Sequence, residues 1–175
     1  MSDAVIKELA RDCASIAKAN GFDETTLTNL PGKLMFVIDE LCREAREAAY
    51  LTGLCDGSHS LEVELADGLI RLLACMYDLY GDDWNERGVT NRLSTKFQFV
   101  AYERLVSTVV HYVCLAAECW RHDKMDDVKY SLEIAIPELI HVAQCLDIDV
   151  LTSAGLKCAK NRKRGHLHGK TRSLG

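Results

Sequence analysis

The chain is patterned mainly at the spacing of α-helices. In six segments, apolar side chains recur roughly every three to four residues, the period of one helix face. The segments span residues 3–19, 33–51, 61–80, 93–121, 129–146 and 150–161. No segment of convincing length alternates apolar and polar residues as a half-buried strand does. The sequence therefore predicts an all-α fold, a bundle of five or six helices.

Turn-forming residues separate several of these segments. Asn20-Gly21 follows the first segment, where a glycine in a left-handed conformation commonly ends a helix. A polar break spans residues 81–88, after the third segment. Pro137 lies in the fifth segment, so it either occupies a first helical turn or kinks the helix.

Composition fits one helical domain. The chain has 175 residues, 48% of them apolar, and only two prolines. Its eight cysteines form no CxxC pair and lie mostly on apolar faces, so we expect reduced core thiols. No run is long enough for a membrane span and no signal peptide is evident, so a cytoplasmic protein without a membrane partner is expected.

Charge divides the chain into an acidic body, residues 1–156, and a basic C-terminal tail, residues 157–175. The tail carries seven Lys or Arg and no acid, which leaves 14 basic against 26 acidic side chains in the body. Such a chain can bind metal in one place and phosphate in another. The alternative is a disordered, nonspecific basic tail. A nucleic-acid-binding module ranks last, because no groove-reading helix or aromatic platform accompanies the tail.

Two acidic stretches provide the candidate chemistry. Side chains three or four residues apart share a helix face. The face on the second helix carries Glu40, Glu44 and Glu47, and the face on the third carries Glu64, Asp67 and Arg71. If these helices pack together, the carboxylates converge and need a counter-ion, for which a hard divalent cation is suited. The alternative is a solvated face of ordinary ion pairs, without metal.

The central helices also show an internal sequence similarity. Residues 38–45 and 69–76 resemble residues 110–117 and 139–146, at offsets of 72 and 70. The later copy lacks the acids: His111, Tyr112, Ile134 and Pro137 replace Asp39, Glu40, Glu64 and Asp67. Either the hairpin at 33–80 keeps the chemistry and a degenerate copy at 93–146 keeps only the packing, or the likeness is chance.

Three blocks, in this order, resemble the MazG-like all-α nucleoside triphosphate pyrophosphohydrolases, of the dimeric dUTPase-like superfamily. The first is Lys-Leu-Met-Phe-Val-Ile-Asp-Glu-Leu at 33–41, which is similar to the family's ExxE helix. The second is Glu-Leu-Ala-Asp-Gly-Leu-Ile-Arg-Leu-Leu at 64–73, similar to its ExxD helix. The third comprises residues 146–149, 157–162 and 166–169, similar to its KxxYN and HG signature. Asn20-Gly21-Phe22 also fits.

The chain departs from this family pattern twice. Arg43 occupies the place of the second acid of the first block; Glu44 replaces it on the same face, or a shifted register uses Glu44 and Glu47. The second departure is an insertion at about residues 82–145, which a degenerate repeat explains. A lost ligand would leave a weak or inactive enzyme.

The resemblance implies a Mg²⁺-dependent hydrolase, with Mn²⁺ as a substitute ion, that cleaves a (d)NTP to (d)NMP and pyrophosphate. The implied metal ligands are Glu40, Glu44, Glu64 and Asp67, and the implied catalytic residues are Glu40, Glu44 and Glu47, Glu47 being a further ligand or the base. The implied substrate contacts are Lys157, Asn161, Arg162, Arg71 and His168.

Three expectations stay open at this stage. Arg71 either contacts phosphate or merely pairs with Asp67. Oligomeric state is either a homodimer or a pseudo-dimeric monomer, in which the second hairpin replaces a partner chain. The alternative to an enzyme is a catalytically weak or inactive helical scaffold or regulatory protein of the same fold.

Overall fold

The computed structural model describes residues 3–50, 61–84 and 102–163, with side chains for 4–42, 61–84 and 106–163. These parts of the chain contain six α-helices and no strand. The helices are α1 Asp3–Ala19, α2 Leu30–Tyr50, α3 Leu61–Tyr80, α4 Tyr102–Arg121, α5 Met125–Cys145 and α6 Val150–Arg162. The predicted all-α bundle of five or six helices is confirmed.

Most predicted helix boundaries agree with the structure to within about four residues, and the differences have local causes. α2 begins at Leu30, before the predicted start at residue 33, because Pro31 is tolerated in a first turn. α5 begins at Met125 rather than at residue 129. Pro137 lies buried in the middle of the helix, so of the two predicted positions the first turn is excluded. Residues 93–101 of the fourth predicted helix lie outside the described residues.

The third helix is the centre of the bundle. α3 packs against α1, α2, α5 and α6. Several of its leucines are completely buried, among them Leu65, Leu69 and Leu72. Each such side chain contributes roughly 1.5–3 kcal/mol by leaving water. Because neighbours surround α3, the side chains that it presents to α2 and α6 are held in fixed positions.

A glycine permits a close approach between α2 and α3. A Cβ atom at Gly68 would lie 3.3 Å from Leu41 Cδ2 and 3.6 Å from Leu139 Cδ2. Contacts of 3.3 Å are tighter than ordinary packing distances between carbon atoms. Gly68 follows Asp67, and Leu41 follows Glu40, so this contact sets the separation of the two acid-bearing segments.

The described helices also form two packed pairs, α2 with α3 and α4 with α5, which contact each other through α2–α4 and α3–α5. Two α5 residues align with the acids of α3 in the internal sequence similarity, and both are buried: Ile134 and Pro137. The later pair therefore uses these positions for packing. Duplication of the hairpin stays a prediction.

The predicted left-handed cap of α1 is confirmed. Gly21 has φ 77°, and its N–H donates to Lys18 O while the N–H of Phe22 donates to Ala17 O. These two bonds are those of a Schellman motif. Gly81, with φ 57°, ends α3 in the same region of backbone conformation, at the start of the predicted break.

α6 begins with a side-chain cap. The Asp149 carboxylate accepts from the Thr152 N–H at 3.1 Å and from Thr152 Oγ1 at 2.7 Å. These hydrogen bonds favour the charged carboxylate, so they lower the pKa of Asp149 below 3.8. The helix continues to Arg162, so the first six residues of the predicted basic tail are helical; residues 164–175 lie outside the described residues.

The cysteines follow the predicted pattern in part. The seven described cysteines are free thiols; Cys13, Cys75, Cys119 and Cys158 are buried, whereas Cys114 is exposed, contrary to a core position. Trp84 is a buried packing residue. None of the helices in the described ranges has the combination of length and hydrophobicity that a bilayer span requires.

We expect Asp149→Ala to lower the free energy of unfolding by about 1 kcal/mol at pH 7, because α6 loses its N-cap. Urea denaturation measures this difference. Since the Asp149 pKa is lowered in the folded state, the charged cap stabilises above pH 3.8, and its contribution is lost as the pH falls through the folded-state pKa. The difference in the free energy of unfolding between wild type and Asp149→Ala should therefore become smaller in acid.

Asp149→Asn is the matched control, because asparagine caps helices about as well as aspartate and does not titrate. An Asp149→Asn variant as unstable as Asp149→Ala would contradict the capping role.

Candidate metal centre and adjoining cavity

Helices α2 and α3 bring three carboxylates together. Glu40, Glu64 and Asp67 each place an oxygen so that the three atoms lie within 4.8 Å of one another. Mg²⁺ and Ca²⁺ bind oxygen at about 2.0–2.6 Å, so oxygens on one ion lie no more than about 5 Å apart. The donor set thus fits a hard divalent cation. We call these three residues the acid cluster.

Two members of the acid cluster are almost completely shielded from water. Glu40 is 7% exposed and Glu64 is 1% exposed, whereas Asp67 is partly exposed. A buried carboxylate is strongly destabilising unless a cation or several hydrogen bonds compensate it. The cluster therefore needs positive charge close by.

Two cations in the described part of the chain contact the acid cluster. Arg71 Nη2 donates to Glu40 Oε1 at 3.0 Å, and Lys157 Nζ of α6 donates to Asp67 Oδ2. The expected alternative, a pair between Arg71 and Asp67, is therefore wrong: the close approach of α2 puts Glu40 within reach of the guanidinium. Lys157 pairs with Asp67. Its predicted contact with substrate stays a prediction.

Arg71 is held on both sides. Its guanidinium carbon lies 5.4 Å from the ring centroid of Phe36, which precedes Glu40 by one turn of α2. Cations favour the face of an aromatic ring at this distance. One helix turn thus orients Arg71 with an aromatic ring and a carboxylate, and its charge stays beside the acid cluster.

A cavity of about 190 Å³ adjoins the acid cluster. Its walls include three residues predicted from the sequence as site residues, Asp67, Arg71 and Asn161. Apolar walls come from α1 and α3. The other side chains that line it include Ile16, Ala17, Phe22, Asp23, Thr25, Lys33, Ile70, Ala74, Cys75 and Asp78.

Two buried polar atoms belong to residues that line this cavity, and neither has a hydrogen-bond partner among the described residues. They are the Asn161 Oδ1, an acceptor, and the Arg71 Nε, a donor. The backbone carbonyl of Asn161 is engaged, because Asn20 Nδ2 donates to it at 3.1 Å. Buried polar atoms without partners are rare in proteins.

The structure does not bring every predicted residue to this place. Arg162 forms an ion pair with Asp12 of α1, at 2.9 Å, and does not line the cavity. Glu44 and Glu47 belong to α2, but their side chains lie outside the described residues, as does His168. Their roles stay predictions.

Sequence reasoning missed several residues that line the cavity. Asp78 accepts from the Thr25 N–H at 2.7 Å, and Lys33 Nζ donates to Asp23 O at 2.6 Å. Asp78 could have been found, because it follows Asp67 and Arg71 on one face of α3 at helical spacing. Thr25 lies in the loop after α1, and helical periodicity does not predict where loop residues lie.

A buried thiol contributes to the same wall. Burial raises the pKa of Cys75 to about 11, with Thr25 Oγ1 as a hydrogen-bond partner at 3.6 Å. The thiol therefore stays protonated at neutral pH. It forms part of the apolar lining and not a nucleophile.

We expect Arg71→Ala to destabilise the fold by about 1–2 kcal/mol, because the buried Glu40 carboxylate loses its guanidinium. Removing one partner from a fully buried pair costs about 3–5 kcal/mol, and the 41% exposure of Arg71 reduces that value. Urea denaturation checks the change. Arg121→Ala, which breaks the exposed pair with Glu118, should leave the urea midpoint unchanged. Equal shifts of the urea midpoint in the two variants would contradict the role of Arg71 in compensating Glu40.

Comparison with protein-family models, with curated proteins and with solved structures found no match to this chain. The acid cluster and the cavity are therefore interpreted from their own geometry and chemistry.

Proposed function

We propose that the chain is a Mg²⁺-dependent nucleoside triphosphate pyrophosphohydrolase that cleaves a (d)NTP to (d)NMP and pyrophosphate. The supporting observation is the convergence of three carboxylates beside a cavity that Asp67, Arg71 and Asn161 line. The order of the sequence blocks supports the same activity. Glu40, Glu64 and Asp67 would hold the ion, and Mn²⁺ would substitute for Mg²⁺.

When bound, the divalent ion supplies charge neutralisation at the phosphates and acidifies a water molecule. The chain supplies positioning. Arg71 and Lys157 lie at the acid cluster and each carries N–H donors suited to phosphate oxygens. Both side chains remain partly exposed, so each can turn from its carboxylate toward a phosphate group at the rim of the cavity.

The cavity suits the nucleoside end of the substrate. Its volume of about 190 Å³ is below the range of roughly 300–1,000 Å³ that encloses a drug-sized ligand, so it holds only part of a nucleotide. Ile16, Ile70 and Ala74 provide apolar walls, and Asn161 provides a hydrogen-bonding amide. With the nucleoside there, the phosphates extend toward the acid cluster.

The remaining elements of the proposal concern Glu44, Glu47 and the assembly. Glu44 serves as a fourth carboxylate ligand and Glu47 as a further ligand or the base that takes a proton from water. The contact of α4 and α5 with α2 and α3 supports a pseudo-dimeric monomer, in which the second hairpin takes the place of a partner chain. A homodimer is the alternative. Nucleotide substrates agree with a cytoplasmic protein.

A second candidate is a helical scaffold or regulatory protein of the same fold, catalytically weak or inactive. One observation favours it: Arg71 and Lys157 already compensate carboxylates of the acid cluster without any metal. In that case, the ion pairs of Arg71 and Lys157 with the acid cluster stabilise the contact of α2, α3 and α6, and nucleotides are not hydrolysed. Activity and metal binding separate the two candidates.

We expect the protein to release pyrophosphate from at least one (d)NTP with Mg²⁺, and to release none with excess EDTA. A Glu64→Gln, Asp67→Asn double variant should lose at least about 100-fold in kcat/KM, because loss of outer metal-site residues alone costs about 10–100-fold. A panel of eight common nucleotides, assayed for pyrophosphate, measures both activity and base preference.

Glu62→Gln is the matched control for the activity assay. Glu62 is an exposed carboxylate on the same helix and accepts from Ser153 Oγ, away from the acid cluster. Its replacement should leave turnover unchanged. Wild-type turnover in the double variant, or no turnover with any nucleotide, would rule out the hydrolase.

We expect Mg²⁺ alone to raise the melting temperature, because an ion that binds only the folded chain stabilises it. At about 100 times the Kd the gain is about 2.7 kcal/mol, which corresponds to a shift of roughly 5–10 °C for a domain of this size. Thermal denaturation with and without Mg²⁺ measures it. The scaffold predicts no shift, and a shift that persists in Glu64→Gln, Asp67→Asn would place the ion elsewhere.

A further inference from the structure

The first and last described helices meet through a pair of thiols. Cys13 Sγ of α1 and Cys158 Sγ of α6 lie 3.5 Å apart, although the two residues are 145 positions apart in sequence. Both side chains are buried, at 2% and 4% exposure. The S–S bond of a disulfide is about 2.05 Å long, so the sulfurs would need to approach by about 1.5 Å.

We propose that Cys13 and Cys158 are a redox modification site, at which a peroxide forms a reversible disulfide that fixes α6 to α1. The site does not depend on the proposed hydrolase activity. It would operate equally in a helical scaffold.

The cavity gives a small oxidant access to this pair. Both cysteines line it, although they are shielded from the outer surface. Hydrogen peroxide is close to water in size and enters a space of about 190 Å³, whereas a tripeptide disulfide does not fit there. The oxidant class that suits the geometry is therefore a peroxide.

The hydrogen bond between the thiols gives the two sulfurs different roles. Either sulfur can be the donor; with the Cys13 S–H donating to Cys158, the contact lowers the pKa of Cys158 and raises that of Cys13. Because a thiolate is the reactive form, Cys158 is the sulfur that attacks first. Cys13 is then in contact with the product of that attack.

The reaction has two steps. The Cys158 thiolate attacks one peroxide oxygen, the O–O bond breaks, and a sulfenic acid and hydroxide form. Cys13 then attacks the sulfenic sulfur as its proton is lost, the S–O bond breaks, and the S–S bond forms. In sum, two thiols and one hydrogen peroxide give one disulfide and two waters, with two electrons passing from sulfur to oxygen. A dithiol reductant reverses the modification by thiol–disulfide exchange.

The disulfide would add a covalent link to the weak noncovalent contacts between α6 and α1. α6 is held against α1 by the Asn20–Asn161 hydrogen bond and by the exposed Asp12–Arg162 ion pair. On α6, Cys158 precedes both of these contacts; it lies next to Lys157 and one turn before Asn161. Oxidation therefore fixes the segment of α6 that reaches the acid cluster and the cavity.

The test is peptide mapping of the full-length, reduced protein after a small molar excess of hydrogen peroxide and alkylation of remaining thiols. The expected product is a peptide that joins Cys13 to Cys158. Because the bond closes a loop of about 145 residues, we expect the melting temperature to rise by about 10 °C. Dithiothreitol should restore the original value.

Two variants separate this pair from general oxidation. Cys75→Ser, which removes another thiol of the cavity wall, should still form the linked peptide. Cys13→Ser should stop at the sulfenic acid of Cys158, captured by dimedone, with no rise in melting temperature. Unmodified Cys158 in the wild type, or a disulfide that joins other cysteines, would overturn the proposal.

Discussion

The structure depends on the compensation of carboxylates that are almost entirely removed from water. Glu40 and Glu64 belong to different helices, and carboxylates this deeply buried are destabilising unless cations or hydrogen bonds lie close to them. Arg71 supplies one of these cations from the same helix as Glu64, and Lys157 adds another, at Asp67, from α6. The packing of α2, α3 and α6 is thereby coupled to the charge balance of the acid cluster.

This coupling explains why the site and the core cannot be separated. α3 buries leucines on one face and carries Glu64, Asp67 and Arg71 along its border with α2 and α6. Gly68 leaves room for the Leu41 side chain of α2 at this level. An apolar contact therefore fixes the distance between acidic side chains, and the same residues serve stability and the proposed chemistry.

Much of the fold could be predicted from the sequence, because helix periodicity and the Asn20-Gly21 cap are local signals. The convergence of Glu40, Glu64 and Asp67 was predicted from face spacing together with packing of neighbouring helices. The partners of Arg71 and Lys157 could not be, since they depend on which helices meet in space. The sequence left open whether Pro137 lies in a first turn or inside the helix, and the structure places it inside α5.

The contact between Lys157 and Asp67 has a consequence for the order in which contacts form during synthesis of the chain. The two residues are 90 positions apart, and the lysine belongs to the last described helix. While the protein is being synthesised, α2 and α3 leave the ribosome long before α6 does. The nascent acidic hairpin must therefore rely on Arg71, on solvent or on dissolved ions until the ammonium group of α6 arrives.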